Sequence, residues 1–65
     1  MKRLNTWMRK NRISQSELAR RLDVTQPTVW AWCHGQKWPT MGNLIELSKE
    51  TGLTVDALLD RRRAA

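Results

Sequence analysis

The chain is expected to be all-α, a compact bundle of five helices. Three observations predict this. Apolar residues recur at helical spacing in five separate segments. Ser14, Thr25, Thr40 and Thr54 stand just before four of those segments, as the hydroxyl residues that cap helix N-termini do. Gly35, Pro39 and Gly52 interrupt the pattern where helices have to stop.

The first helix is expected over residues 4–10, with Leu4, Trp7 and Met8 at i, i+3 and i+4 as its apolar face. Trp7 belongs to the core on this pattern. Asn11 or Arg12 ends the helix, Asn being the better left-handed cap. Ile13 is placed as a hydrophobic staple before Ser14, and Ser14 with Glu17 forms a capping box. Leu18, Ala19 and Leu22 give the second helix its apolar side, with Arg20 and Arg21 opposite. Asp23 interrupts, Val24 is apolar, and Thr25 caps a third helix. Pro27 lies in its first turn, where a missing N–H costs nothing. Val29, Trp32 and Cys33 form the third apolar stripe, which Gly35 closes as a C′ residue. Residues 15–34 therefore read as helix, tight turn, helix. Two helices crossing so steeply need a small side chain where their backbones approach, and Ala19 supplies it.

Gln36, Lys37, Trp38 and Pro39 show no periodicity, and Pro39 forbids helix just before it. Trp38 is expected to anchor that loop. After Thr40 the fourth helix carries Met41, Leu44, Ile45, Leu47 and Ser48 at helical spacing and stops at Gly52. Thr54 caps a short fifth helix to about residue 60, burying Val55, Leu58 and Leu59. Residues 61–65 are expected to be a flexible basic tail. With no repeat, low-complexity segment or linker, residues 1–65 form one domain.

Composition narrows the function classes. A chain of 65 residues buries only about 60% of its unfolded surface, so its core is thin. Cys33 is the lone cysteine and has no disulfide partner within the chain; on the apolar stripe it acts as a small buried hydrophobe. Cys33 and His34, adjacent in sequence, lack metal-ligand spacing, and neither a metal nor a cofactor is expected. No signal peptide or membrane-spanning run is present in the sequence, and a soluble intracellular protein is expected. No nucleophile, acid and base come together as a catalytic set, so an enzyme is not expected. The formal net charge of +6 calls for a polyanionic partner. Residues 1–21 hold Lys2, Arg3, Arg9, Lys10, Arg12, Arg20 and Arg21 against Glu17, a balance of +6. Residues 41–60 hold Lys49 against Glu46, Glu50, Asp56 and Asp60, a balance of −3. One part of the chain attracts phosphate and the other avoids it.

The pattern at Gln15, Leu18, Ala19, Leu22, Val24, Thr25, Gln26, Val29, Trp32 and Gly35 resembles the helix-turn-helix of the Cro and lambda-repressor family. The likeness runs over roughly residues 4–59. Asp23 departs from it, because the family usually has Gly in the turn; Asp tolerates the left-handed conformation better than most residues. The resemblance implies a DNA-binding regulator, most simply a repressor, since occupying a promoter is enough. With no second domain in the chain, a small Cro-like phage or prophage protein of the bacterial cytoplasm and nucleoid is expected. It is expected to bind double-stranded DNA at an inverted repeat, as a weak homodimer that tightens on DNA through the region after the fourth helix.

The resemblance points Gln26 at base edges, where its amide suits adenine N6 and N7. Pro27, Thr28, Trp30 and Ala31 join it as base-contact candidates, Thr28 and Ala31 for thymine methyls. Gln15 is expected to meet a phosphate and brace Gln26. Arg9, Arg12, Arg20, His34, Lys37 and Asn43 are further phosphate candidates. Trp30 has three readings: apolar contact in the groove, packing on Trp38 or its loop, or docking of a protein. Two rival readings of the whole chain stand beside DNA readout. One is a protein-interaction module of antitoxin type, the other non-specific, architectural nucleic-acid binding; the motif taken alone also fits an ordinary α-hairpin with no DNA role.

Overall fold

The computed structural model describes residues 1–59, and every regular element among them is helical. In chain order they are α1 (Lys2–Asn11), α2 (Gln15–Leu22), α3 (Gln26–Cys33), α4 (Met41–Thr51) and α5 (Val55–Leu58). The basic tail expected over 61–65 lies outside the described residues. So does the end expected for the fifth helix near residue 60.

Each boundary has a local cause. Hydroxyls at Ser14, Thr25, Thr40 and Thr54 accept the backbone N–H three residues on, capping α2 to α5 as the sequence implies. The capping box at Ser14 is only half formed, because the Glu17 carboxylate turns instead to Arg20 and Arg21. Two guanidinium groups make stronger, charge-assisted bonds than the one backbone N–H on offer. α1 begins two residues earlier than expected, with Met1 buried beneath it. It also runs through Asn11, whose side-chain amide donates to the Trp7 carbonyl (2.8 Å), leaving Arg12 as the left-handed cap (φ 55°). Asp23 takes the same conformation (φ 57°) at the turn of the motif. There the N–H of Val24 reaches back to the Ala19 carbonyl (3.0 Å), so the Asp in place of Gly is accommodated.

One core joins all five helices. Leu4 and Met8 of α1, Leu18 and Ala19 of α2, Val29 and Trp32 of α3, Leu44 and Leu47 of α4, and Leu58 of α5 close on one another. Ala19 is buried, as a close crossing of α2 and α3 demands. Trp7, Ile13, Leu22, Val24 and Cys33 pack half-buried at the margin. Three expectations fail in the second half of the chain. Met41 and Ile45 are exposed, because Leu44 and Leu47 already fill the inward arc of α4. Trp38 is exposed too, and Pro39 is the buried residue that pins the loop.

Candidate nucleic-acid interface

The motif holds the start of α3 against the start of α2. Gln15 and Gln26 each open their helix directly after the cap. The Gln26 amide Nε2 donates to Gln15 Oε1 at 2.6 Å. That bond uses one of two amide hydrogens and leaves the Gln26 oxygen free, so a donor and an acceptor remain side by side for a base edge. Thr25 and Thr28 are tied by a hydroxyl contact of 2.7 Å, which stiffens the same turn.

The outer ridge of α3 runs through Gln26, Trp30 and His34 at i, i+4 and i+8, with exposed Pro27 beside it. Trp30 is 43% exposed, whereas Trp32 is 2% exposed, so the helical phase matches the sequence reading. The Trp30 ring is stacked on His34, with centroids 4.1 Å apart and planes 18° apart. His34 Nδ1 also lies 2.9 Å from the Trp30 carbonyl, which fixes the imidazole against the helix end. Trp30 thus has a ring stacked against it at its own helix end. Its partner is a histidine one turn on, a spacing the sequence displays.

Ala31 corrects the sequence reading. It is only 9% exposed and belongs to the buried side of α3, so it is not available to a base. Ala31 sits about 100° around the helix from Trp30, at the edge of the buried arc. The N–H groups of Gln36 (2.9 Å) and Lys37 (3.4 Å) both return to its carbonyl, closing the following loop over that edge. Thr28 is half-buried.

The phosphate candidates divide into two kinds. Arg9, Arg12 and Lys37 are exposed and hold no ion pair among the described residues. Arg9 and Lys10 occupy the last turn of α1, where the helix dipole favours cations. Arg20 is different, because it makes a two-pronged bond to Glu17 (2.7 Å to each oxygen). That bond, with the one from Arg21, holds the Glu17 carboxyl below the usual range, and Glu17 in turn holds the Arg20 guanidinium above its own. Asn43 donates its backbone N–H to the Thr40 cap and is half-buried. Gln15 and Gln26, Trp30 and His34, and Arg20 with Glu17 are brought together; Arg9, Arg12, Lys37 and Asn43 stand apart from those pairs.

Two positioning contacts escape a reading by pattern. Asn5 of α1 donates its amide to the Cys33 carbonyl (3.0 Å), satisfying an orphan acceptor at the end of α3. Arg21 bridges Glu17 of its own helix (3.0 Å) and Glu50 of α4 (2.9 Å), so the basic and acidic halves of the sequence meet there. The Asn5–Cys33 and Arg21–Glu50 bonds join residues too far apart in sequence for spacing to reveal them. Beside Asn5, burial pushes the Cys33 thiol up, and its sulfur lies 3.9 Å from that of Met8. No helix among the described residues is long and apolar enough to cross a membrane.

Comparison with known proteins gives one family. The helix-turn-helix family model matches residues 4–58, which takes in all five helices apart from Lys2 and Arg3 at the start of α1. No curated protein and no solved structure gives a match.

Proposed function

The chain belongs to the Cro and lambda-repressor type of the helix-turn-helix family, a family of DNA-binding regulators, and we propose that this member is a repressor reading one duplex sequence through the start of α3. The Gln15–Gln26 pair carries the reading. It spends a side chain of α2 on fixing the amide of α3, and the groups left over on Gln26 match adenine N6 and N7 in the major groove. Trp30, braced by His34, adds an apolar surface for a thymine methyl or sugar on the same ridge. Pro27 and the half-buried Thr28 flank it.

Arg9, Arg12 and Lys37, with His34 and Asn43, would meet phosphates and set the register of the helix on the duplex. Arg20 contributes less, since Glu17 already holds it. Repression follows from occupancy of a promoter and needs no further chemistry. The operator is an inverted repeat with half-site centres about 34 Å apart, occupied by two copies that associate weakly until DNA aligns them. In this reading the protein works in the bacterial cytoplasm, on the nucleoid.

Selection of bound duplexes from a random pool at fixed salt tests the proposal. The expected result is one inverted-repeat consensus, with affinity falling steeply as salt rises. Equal affinity for all duplexes would replace readout with architectural binding. No duplex binding, together with capture of a protein partner that persists in high salt, would favour the interaction module.

A further inference from the structure

A cleft of about 220 Å³, open to solvent on its outer side, takes no part in the reading of DNA proposed above. It lies between α1 and the corner that joins α4 to α5. Arg3, Thr6, Trp7 and Lys10 line it from α1, and Leu53 lines it from the corner. The four α1 residues stand at i, i+3, i+4 and i+7. They share one stripe of the helix, about 10 Å long, with a cation at each end.

Both apolar walls are held in place. The Leu53 carbonyl accepts the Ser48 hydroxyl (2.7 Å), and its N–H donates to Thr51 Oγ1 (3.1 Å). Trp7 packs half-buried against the core, and its carbonyl accepts the Asn11 amide (2.8 Å). The cations are uncommitted, since Arg3 and Lys10 are exposed and hold no ion pair among the described residues. Neither belongs to the phosphate contacts proposed for the duplex. Arg3, Trp7 and Lys10 lie roughly 140–160° around α1 from Asn5, the residue that bonds to α3. The cleft is therefore on the flank of α1 turned away from the α3 ridge.

We propose that this cleft binds a small organic acid, its carboxylate met by Arg3 and Lys10 and its apolar body laid against Trp7 and Leu53. Each part of the lining has a use for such a ligand. The cations supply charge-assisted hydrogen bonds, the Thr6 hydroxyl adds a donor, and the indole and leucine cover carbon. Volume sets the size: the cleft falls below the roughly 300–1,000 Å³ of sites for drug-sized ligands, so the acid has about ten non-hydrogen atoms. A bare phosphate, free or on a duplex, has no apolar body to set against Trp7. Binding joins α1 to a corner more than forty residues along the chain, so it stabilises the folded state by mass action.

The test titrates benzoate, phenylacetate and hexanoate into the full chain at fixed low salt, with their neutral amides and inorganic phosphate as controls. Two-dimensional NMR follows the backbone amides and the Trp7 indole N–H, and thermal unfolding follows stability. The expected result is saturable shifts centred on Thr6, Trp7, Lys10 and Leu53 for at least one acid, at about millimolar concentration or below. That acid should also raise Tm. Its amide should bind about tenfold or more weakly, and Arg3→Gln and Lys10→Gln should each weaken the acid by a similar factor. Both substitutions are at exposed positions, and melting without ligand establishes that the variants fold. No saturable shift with any of the three acids overturns the proposal. An amide that binds as tightly as its acid, or phosphate that does, also overturns it, because the cations or the apolar walls would then play no part. Shifts centred on α3 overturn it too. The titration needs no DNA, so its outcome is independent of the operator reading.

Discussion

Two tryptophans two residues apart on α3 give opposite predictions. Trp32 is fully buried among Leu4, Leu18, Val29 and the rest of the core. Burying roughly 200 Å² of its ring at about 25 cal/mol/Å² is worth about 5 kcal/mol, and truncation of such a side chain costs about 3–5 kcal/mol. At about 0.05–0.15 kcal/mol per residue, a domain this small has only roughly 3–10 kcal/mol in all. Trp32→Ala should therefore unfold the protein or lower its Tm by more than about 12 °C. Trp30→Ala loses a solvent-exposed stack on His34, worth about 0.5–1.5 kcal/mol, and regains part of that from the better helix propensity of Ala. Its Tm should fall by less than about 8 °C. Affinity for the selected operator should nevertheless drop about 5- to 30-fold, the effect of losing an aromatic anchor worth 1–2 kcal/mol. Circular dichroism melting without DNA and fluorescence anisotropy at fixed salt read the two quantities on each variant. If Trp30→Ala unfolds the domain and Trp32→Ala does not, the assignment of the buried side of α3 is wrong. If Trp30→Ala changes neither quantity, the stacked ring plays no part in DNA readout.

Four other outcomes follow from the same geometry. Gln26→Ala should cost about 1–3 kcal/mol on the selected operator and relax preference at one base pair. Gln15→Ala should weaken specific binding only while Gln26 is present, a coupling that a double-mutant cycle on the 2.6 Å pair measures. Arg9→Ala and Arg12→Ala should weaken all duplexes alike and each reduce the salt slope by about one, which titrations at several salt concentrations check. Glu17 is held below the ordinary carboxylate range first by its bond to Arg20 and then by that to Arg21. Its contribution to stability is therefore present above the carboxylate range of the unfolded chain and lost as pH falls through the lower folded value. Glu17→Gln should lower Tm at neutral pH, with the difference closing in acid; a difference that persists at low pH would assign the effect to something other than this charge.

The parts of the fold legible in the sequence are those set by neighbours in the chain. Ser14, Thr25, Thr40 and Thr54 cap their helices through atoms three residues away, so spacing alone locates them. The core of the motif, from Leu18 to Trp32, follows from helical period. α4 was harder, because Met41, Leu44, Ile45 and Leu47 are all apolar and the period alone does not say which are turned outward. Which arc is filled depends on α2 and α5, and hence on packing between distant segments. The same limit hid the Asn5 and Arg21 contacts, whose partners lie 28 and 29 residues away. In the candidate site, the family resemblance implies the Gln15–Gln26 contact, while the Trp30–His34 stack has only its one-turn spacing to signal it.

α3 breaks the usual order of burial, and the break falls on the proposed site. α3 is apolar nearly all round, a pattern that ordinarily marks a helix covered on every side. The fold instead buries small Ala31 and leaves Trp30 on the surface, although covering an indole removes several times more apolar area than covering a methyl. Packing alone favours the reverse arrangement. Trp30 is also not left loose, since His34 stacks on its ring and is held in turn at its carbonyl. An aromatic surface that is exposed yet fixed loses little conformational entropy when it is covered, which is what a recognition helix needs on meeting a groove. Places where local rules fail while the neighbouring geometry is well determined are where function is to be expected. On α3 that place is the ridge from Gln26 to His34.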